Sequence, residues 1–168
     1  MAKSIETKNI AFVAIKEPHQ SFGQIGLEVM AALLKQHNHN VIGITDSTFD
    51  ASEFITHDEK TNIERLKIFK PDIIGFSVLS HRYQWCLKFA RLLKKTFPET
   101  KIIFGGPQAT AVPDTVIKED AIDIVCCGEG EEAILELASD LERTDIKNLW
   151  FKKGKEIIKN DLRPLIQD

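Results

Sequence analysis

Short apolar runs, unbroken by polar alternation, recur along this chain, and each breaks into glycine or a small hydroxyl residue just before a helical stretch. Pro71-Asp72-Ile73-Ile74 passes into Gly75-Phe76-Ser77-Val78-Leu79-Ser80, and Lys101-Ile102-Ile103-Phe104 passes into Gly105-Gly106-Pro107. Ile122-Asp123-Ile124-Val125-Cys126 likewise leads to Gly128-Glu129-Gly130-Glu131. A strand that is apolar on both faces is covered on both, which is the state of a strand in a parallel sheet. In such a sheet the carboxyl ends of the strands share one edge, so the three junctions line one crevice. Backbone without side chains lets a large, flat ligand approach closely. The chain is built to hold a cofactor.

The rest of the pattern extends this frame. Asn9 to Ile15 reads as a buried strand, followed by a helix from about Gly23 to Gln36 with Ile25, Val29, Ala32 and Leu33 on its inward stripe. The turn His37-Asn38-His39-Asn40 leads to strand Val41 to Thr45, and Asp46 to Thr61 is loop-like. A short helix carries Ile63, Leu66 and Phe69 and is stopped by Lys70-Pro71 before strand Asp72 to Phe76. Helix Tyr83 to Phe97, with Cys86, Phe89, Ala90, Leu93 and Phe97 at helical spacing, ends at Pro98. Strand Lys101 to Phe104, a helix from about Asp114 to Glu119, strand Asp123 to Cys126 and helix Glu131 to Leu141 complete five β-α units. Strands alternating with helices predict an α/β, doubly wound, five-stranded parallel sheet, flavodoxin-like (Rossmann-like), with strand order 2-1-3-4-5.

Residues 1–143 form this domain. Residues 144–168 behave differently: Asn148 to Phe151 and Glu156 to Ile158 read as a hairpin extension turning at Gly154, followed by a linker toward a missing C-terminal domain. The pairs Trp150-Phe151 and Leu165-Ile166 are expected to remain uncovered and to mark a contact surface.

Composition narrows the partners. A net charge of -3 over 168 residues argues against a nucleic-acid surface. No apolar run approaches the roughly 20 residues of a membrane span, and polar Met1 to Asn9 is no signal peptide, so the expected location is cytoplasmic. Three cysteines, Cys86, Cys126 and Cys127, make neither a disulfide framework nor a metal-binding spacing and are expected to be reduced and buried. No C-x-x-x-C-x-x-C motif is present to house an iron–sulfur cluster, and no nucleophile–base pair has a defensible spacing. The catalytic set is therefore empty.

Several ligands of this architecture fail on their chemistry. A phosphoryl-accepting receiver needs an aspartate at the end of strand three, where Ser77 stands. A flavin mononucleotide site wants a Thr/Ser-rich loop after strand one, which Pro18-His19-Gln20-Ser21-Phe22 does not supply. A dinucleotide site wants G-x-G-x-x-G there, but Gly23-Gln24-Ile25-Gly26 offers only G-x-x-G, displaced. What remains is a ligand lying along the crevice over the ends of strands one, three, four and five.

The runs Pro71 to Ser80, Ile102 to Thr110 and Cys127-Gly128-Glu129-Gly130-Glu131-Glu132 together resemble the N-terminal cobalamin (vitamin B12)-binding domain of cobalamin-dependent radical S-adenosylmethionine (SAM) enzymes. The resemblance covers about Ile10 to Leu141, and the hairpin is similar to that family's bridge into its catalytic barrel. It implies a cobalamin-binding module of a larger radical enzyme that transfers a methyl group, with the [4Fe–4S] cluster and SAM held only in the missing barrel, in cis. It implies that the nucleotide tail of cobalamin threads between sheet and helices. Ser77 and Ser80 would then hydrogen-bond the buried base or its linker, and Gly105 and Gly106 would leave the channel. The backbone of Gly128, Glu129 and Gly130 would offer N–H groups to the tail. Gln20, Ser21, Phe22, Gly23, Val78, Leu79, Tyr83, Pro107 and Gln108 complete the expected cofactor-binding set. A branched residue at Gly105 or Gly106 is expected to block the channel and spare the fold.

The loop after strand one departs from the wider cobalamin pattern. D-x-H-x-x-G supplies a histidine to cobalt in methionine-synthase-like modules, whereas Glu17-Pro18-His19-Gln20-Ser21-Phe22-Gly23 has glutamate for aspartate and glycine one residue late. His19 stands as the candidate metal ligand, with Glu17 to orient it. Radical enzymes of the resembled family often dispense with a histidine, and both options stay open. His37, His39, His57 and His81 read as surface residues. A non-catalytic interaction domain and a standalone corrinoid carrier are the alternative readings.

Overall fold

The computed structural model describes residues 6–15, 25–46 and 59–164. Elements follow in the order β1 (Asn9–Ile15), α1 (Ile25–Gln36), β2 (Asn40–Asp46), α2 (Glu59–Phe69) and β3 (Ile73–Ser77). A 3₁₀ turn, Ser80–Arg82, leads into α3 (Tyr83–Thr96), then β4 (Lys101–Gly105), α4 (Pro107–Ala111) and α5 (Pro113–Val116). β5 (Ile124–Cys126), α6 (Glu131–Ser139) and the hairpin β6 (Leu149–Lys153) and β7 (Glu156–Lys159) complete the chain. The sheet order is β2-β1-β3-β4-β5-β6-β7, with β1 to β5 parallel and β6 and β7 antiparallel.

The parallel order matches the sequence reading, but the sheet has seven strands rather than five. The hairpin is no appendage: Cys126 pairs with Leu149, Val125 with Trp150 and Ile124 with Phe151. Phe151 is buried and Trp150 half-buried, so this pair belongs to the core rather than to an open contact surface. The reason is that β5, only three residues long, would otherwise be an unpaired edge. The partner pair, Leu165-Ile166, lies outside the described residues.

Helices cover both faces. On one, α2, α3, α4 and α5 close over Ile74, Phe76, Ile102 and Phe104. Phe76 packs with its ring tilted at 4.8 Å against Phe104 and edge-on at 6.2 Å against Phe89. Helix α3 buries Cys86, Leu87, Phe89, Ala90 and Leu93 at the expected spacing, and Lys94 and Lys95 suit the negative end of its dipole. Between β4 and β5 stand two short helices, each begun by a proline, in place of one helix from Asp114 to Glu119.

On the other face α1 and α6 pack side by side over Ile10, Phe12, Ile103 and Ile124. Helix α1 turns Leu27, Met30, Ala31 and Leu34 inward and leaves Ile25 and Val29 exposed, so the expected stripe is corrected. This helix is apolar around most of its circumference, so period alone fits more than one stripe, and contact with α6 selects.

Side chains at the amino ends of the strands lock the register. Asp72 Oδ2 accepts the Asn9 N–H at 2.7 Å, and Asp123 Oδ2 accepts the Ile102 N–H and the Lys94 ammonium, both at 2.8 Å. His39 is also a correction, since it is 5% exposed and its Nδ1 accepts the Lys8 N–H at 3.1 Å. Burial, and then the nearby His37 and Lys8 charges, push its pKa below the ordinary value.

Candidate cofactor-binding site

At the carboxyl edge of the sheet, between α1 and α6, lies a cavity of about 170 Å3. Its floor is sheet: Phe12 of β1, Gly75 and Ser77 of β3, Ile103 and Gly105 of β4, and Cys126 of β5. Leu27 and Met30 of α1 wall one side, and Glu131 and Ile134 of α6 the other, with Gly128, Glu129 and Gly130 forming the rim. The alternation of a strand explains the floor: Ile103 and Gly105 share a face of β4, and Phe104 between them enters the opposite core.

Its glycines do two different jobs. A Cβ at Gly105 would meet nothing closer than the Cys126 Cβ, at an ordinary contact distance of 3.5 Å, so bareness here keeps space open. Gly106 has φ +86, and a Cβ there would sit 2.8 Å from the Val78 backbone nitrogen. That close approach joins the ends of β3 and β4, where the Val78 N–H donates to the Gly105 carbonyl at 2.8 Å and the Gln108 N–H to the Val78 carbonyl at 3.0 Å. Gly106 is thus required by the backbone itself, which corrects the expectation that a branched residue there would spare the fold.

Of the sequence-predicted residues, Ser77, Gly105, Gly106, Gly128, Glu129 and Gly130 converge on the cavity. Val78 is buried and, with Gln108, holds the two strand ends together. Pro107 opens α4, while Leu79 and Ser80 lie in the turn leaving β3. Tyr83 packs in the core of the opposite face, where burial and then Glu119 raise its pKa. His19, Gln20, Ser21, Phe22 and Gly23 lie outside the described residues, as does His57. Among the described residues, no three His, Cys, Asp or Glu side chains gather to hold a metal ion.

Part of the rim is tied inward. The Gly128 N–H donates to Thr110 Oγ1 at 3.0 Å, so it is already engaged. The Glu129 carbonyl accepts the Asn148 Nδ2–H at 2.7 Å. Asn148 escaped the sequence reading; it is buried, has φ 68, and its Oδ1 accepts the Arg163 N–H at 2.6 Å. Phe12 and Cys126 are only core residues in the sequence reading and Met30 has no place in it; their one signal is proximity to a strand end or to the first turns of α1. Burial pushes the Cys126 thiol up to about 12, with the neighbouring Cys127 and Glu131 adding to the shift. Cys86 is also pushed up to about 12 by burial, so neither thiol is a nucleophile at neutral pH.

The cavity is smaller than the roughly 300–1,000 Å3 that encloses a drug-sized ligand, so only one slender part of a large cofactor fits inside it. The B12 binding domain model aligns to residues 13–138. The chain belongs to the B12-binding domain family. An uncharacterized methyltransferase of Pyrococcus horikoshii is 28% identical over 149 residues, covering 86% of this chain and 31% of the relative. The cobalamin-dependent radical SAM methyltransferase TokK of Streptomyces tokunonensis is 31% identical over 97 residues, covering 54% of this chain and 14% of its own length. The cobalamin-dependent radical SAM enzyme OxsB, solved with aqua-cobalamin and SAM, shares the fold with a TM-score of 0.75 at 16% identity, covering 96% of this chain and 23% of OxsB. The chain spans under a third of the length of the relatives it matches.

Proposed function

We propose that this B12-binding domain is the corrinoid-holding module of a longer radical SAM methyltransferase. The observation that carries the reading is the glycine-floored cavity at the strand ends, too narrow for a corrin ring and open enough for its nucleotide tail. The residues present fit that tail. Gly105 leaves the floor bare, the Phe12 ring over Gly75 with Leu27 and Ile134 offers apolar surface to a flat base, and Ser77 brings a hydroxyl to it. The ring would then lie over the same edge, against the turn of Leu79 and Ser80 and the start of α4 at Pro107.

Cobalamin supplies, when bound, a cobalt able to carry a methyl group. The domain's own residues exclude water from the tail and fix its direction. In this reading residues 1–143 bind the cofactor and residues 144–168 lead toward a barrel in cis that carries the [4Fe–4S] cluster and SAM. The relatives named as methyltransferases and their greater length support it. In the same reading Gln20, Ser21, Phe22 and Gly23 are further contacts to the cofactor, and His19 is the candidate ligand to cobalt.

Reconstitution tests this directly. The chain, mixed with hydroxocobalamin and freed of excess by gel filtration, should retain the cofactor's absorbance with the base detached from cobalt. Failure to retain it would remove the reading. Nitrogen superhyperfine splitting in the cob(II)alamin resonance spectrum, lost in His19→Ala, would assign cobalt a histidine ligand.

A further inference from the structure

Glu131 opens α6 at the cavity wall, and its carboxylate oxygen Oε2 is shut off from solvent with no hydrogen-bond partner among the described residues. Its surroundings are otherwise settled. Glu132 and Glu136, on the outer side of the same helix, pair with Arg163. The thiol of Cys126 points to the Glu129 carbonyl at 4.0 Å. A buried acceptor left without a donor is unfavourable, and carboxylates take charge-assisted hydrogen bonds more readily than neutral groups do. An oxygen kept in this condition beside a cavity suits a donor that arrives with the ligand.

We propose that Glu131 is a specificity-determining residue of this cavity, its Oε2 accepting a hydrogen bond from the ribose hydroxyl of the corrinoid's nucleotide tail. The inference rests on the corrinoid reading above. The tail's dimethylbenzimidazole carries no N–H and cannot meet a carboxylate, whereas the sugar beside it carries a hydroxyl. Apolar walls for the base and a single acceptor for the sugar therefore recognise the tail as a nucleotide. A corrinoid without that nucleotide would gain nothing from Glu131.

The test compares hydroxocobalamin with cobinamide, which ends before the nucleotide, on the wild-type chain, Glu131→Gln and Glu131→Ala. Cobalamin affinity should fall about 10- to 100-fold in Glu131→Ala, the range for loss of one hydrogen bond to a charged group, and less in Glu131→Gln. Cobinamide affinity should be the same in all three. Thermal unfolding of the unliganded proteins keeps the comparison sound; if Glu131→Ala does not fold, the isosteric Glu131→Gln carries the test alone. Cobalamin affinity unchanged in both variants overturns the role of Glu131 and leaves the corrinoid reading intact. Equal loss for both corrinoids also overturns it, since the nucleotide would then not be the group recognised. A wild-type chain that binds neither corrinoid overturns the corrinoid reading and the inference with it.

Discussion

Phe12 and Gly75 stand opposite one another on the neighbouring parallel strands β1 and β3, and the Phe12 ring covers the bare Cα of Gly75. A Cβ on Gly75 would lie 2.9 Å from both Cδ1 and Cε1 of that ring. The pair sets the height of the cavity floor, because the ring can lie flat only where its neighbour has no side chain.

Gly75→Ala should therefore force the Phe12 ring upward into the cavity. Overpacking of this kind costs about 1–3 kcal/mol. Chemical denaturation should show that loss, and cobalamin titration a weaker affinity. Phe12→Leu in the same chain should recover much of both, whereas additive losses in the double variant would show that the two residues do not share this space.

Gly105 and Gly106, adjacent and chemically identical, should respond differently. Gly105→Val should fold with near wild-type stability yet take up little cobalamin, because its methyl groups occupy the cavity face of β4. Gly106→Ala should lose at least about 2 kcal/mol, since its backbone lies in a region that only glycine adopts readily and the new Cβ meets Val78. Thermal unfolding and retained corrinoid absorbance separate the two effects. Equal instability of both variants would refute the division.

Asn148 joins the rim at Glu129 to the departing chain at Arg163 through both ends of its amide. Asn148→Ala should destabilise the domain by about 2–4 kcal/mol, from two lost buried hydrogen bonds and a left-handed backbone. Asn148→Gly retains the backbone freedom and should lose less. Comparing their urea midpoints measures the backbone share, and indistinguishable midpoints would assign the whole effect to the amide.

His39 should make stability fall at mildly acid pH. Its pKa is lowered by burial, so the folded protein holds it neutral while the unfolded chain titrates near the ordinary 6.5. The unfolded state then binds more protons between that value and the lower folded one. Stability is complete above about 6.5 and declines as pH falls through this window. Protonation also removes the Nδ1 lone pair that accepts the Lys8 N–H. Urea unfolding from pH 8 to pH 5 should show this decline, and His39→Gln should flatten it.

Much of the architecture was legible because it is encoded locally. Unbroken apolar runs at β1, β3, β4 and β5, and the spacing of Cys86, Phe89, Ala90 and Leu93, state periodicity directly, and the parallel order follows from alternation and handedness. The glycine junctions also placed the crevice, since bare residues at strand ends have one common edge. What a residue does across that edge was not legible. Gly105 and Gly106 look alike in sequence, yet one preserves space and the other permits two backbones to meet.

Three further decisions belonged to the tertiary structure. Helix α1 could turn any of several apolar stripes inward, and only α6 selects Leu27, Met30, Ala31 and Leu34. The hairpin could stand apart, but the short edge of β5 draws Leu149, Trp150 and Phe151 into the sheet. Glu131 reads as an ordinary acidic start to a helix, and Asn148 as the first residue of a hairpin strand. Sequence by itself determined the strands, their order and the bare edge, because those depend on neighbours in the chain. Only the folded protein decided which oxygen is left without a donor and which amide holds the rim, because those depend on packing between separate segments, as Asn148 and Glu129 meet from 19 positions apart.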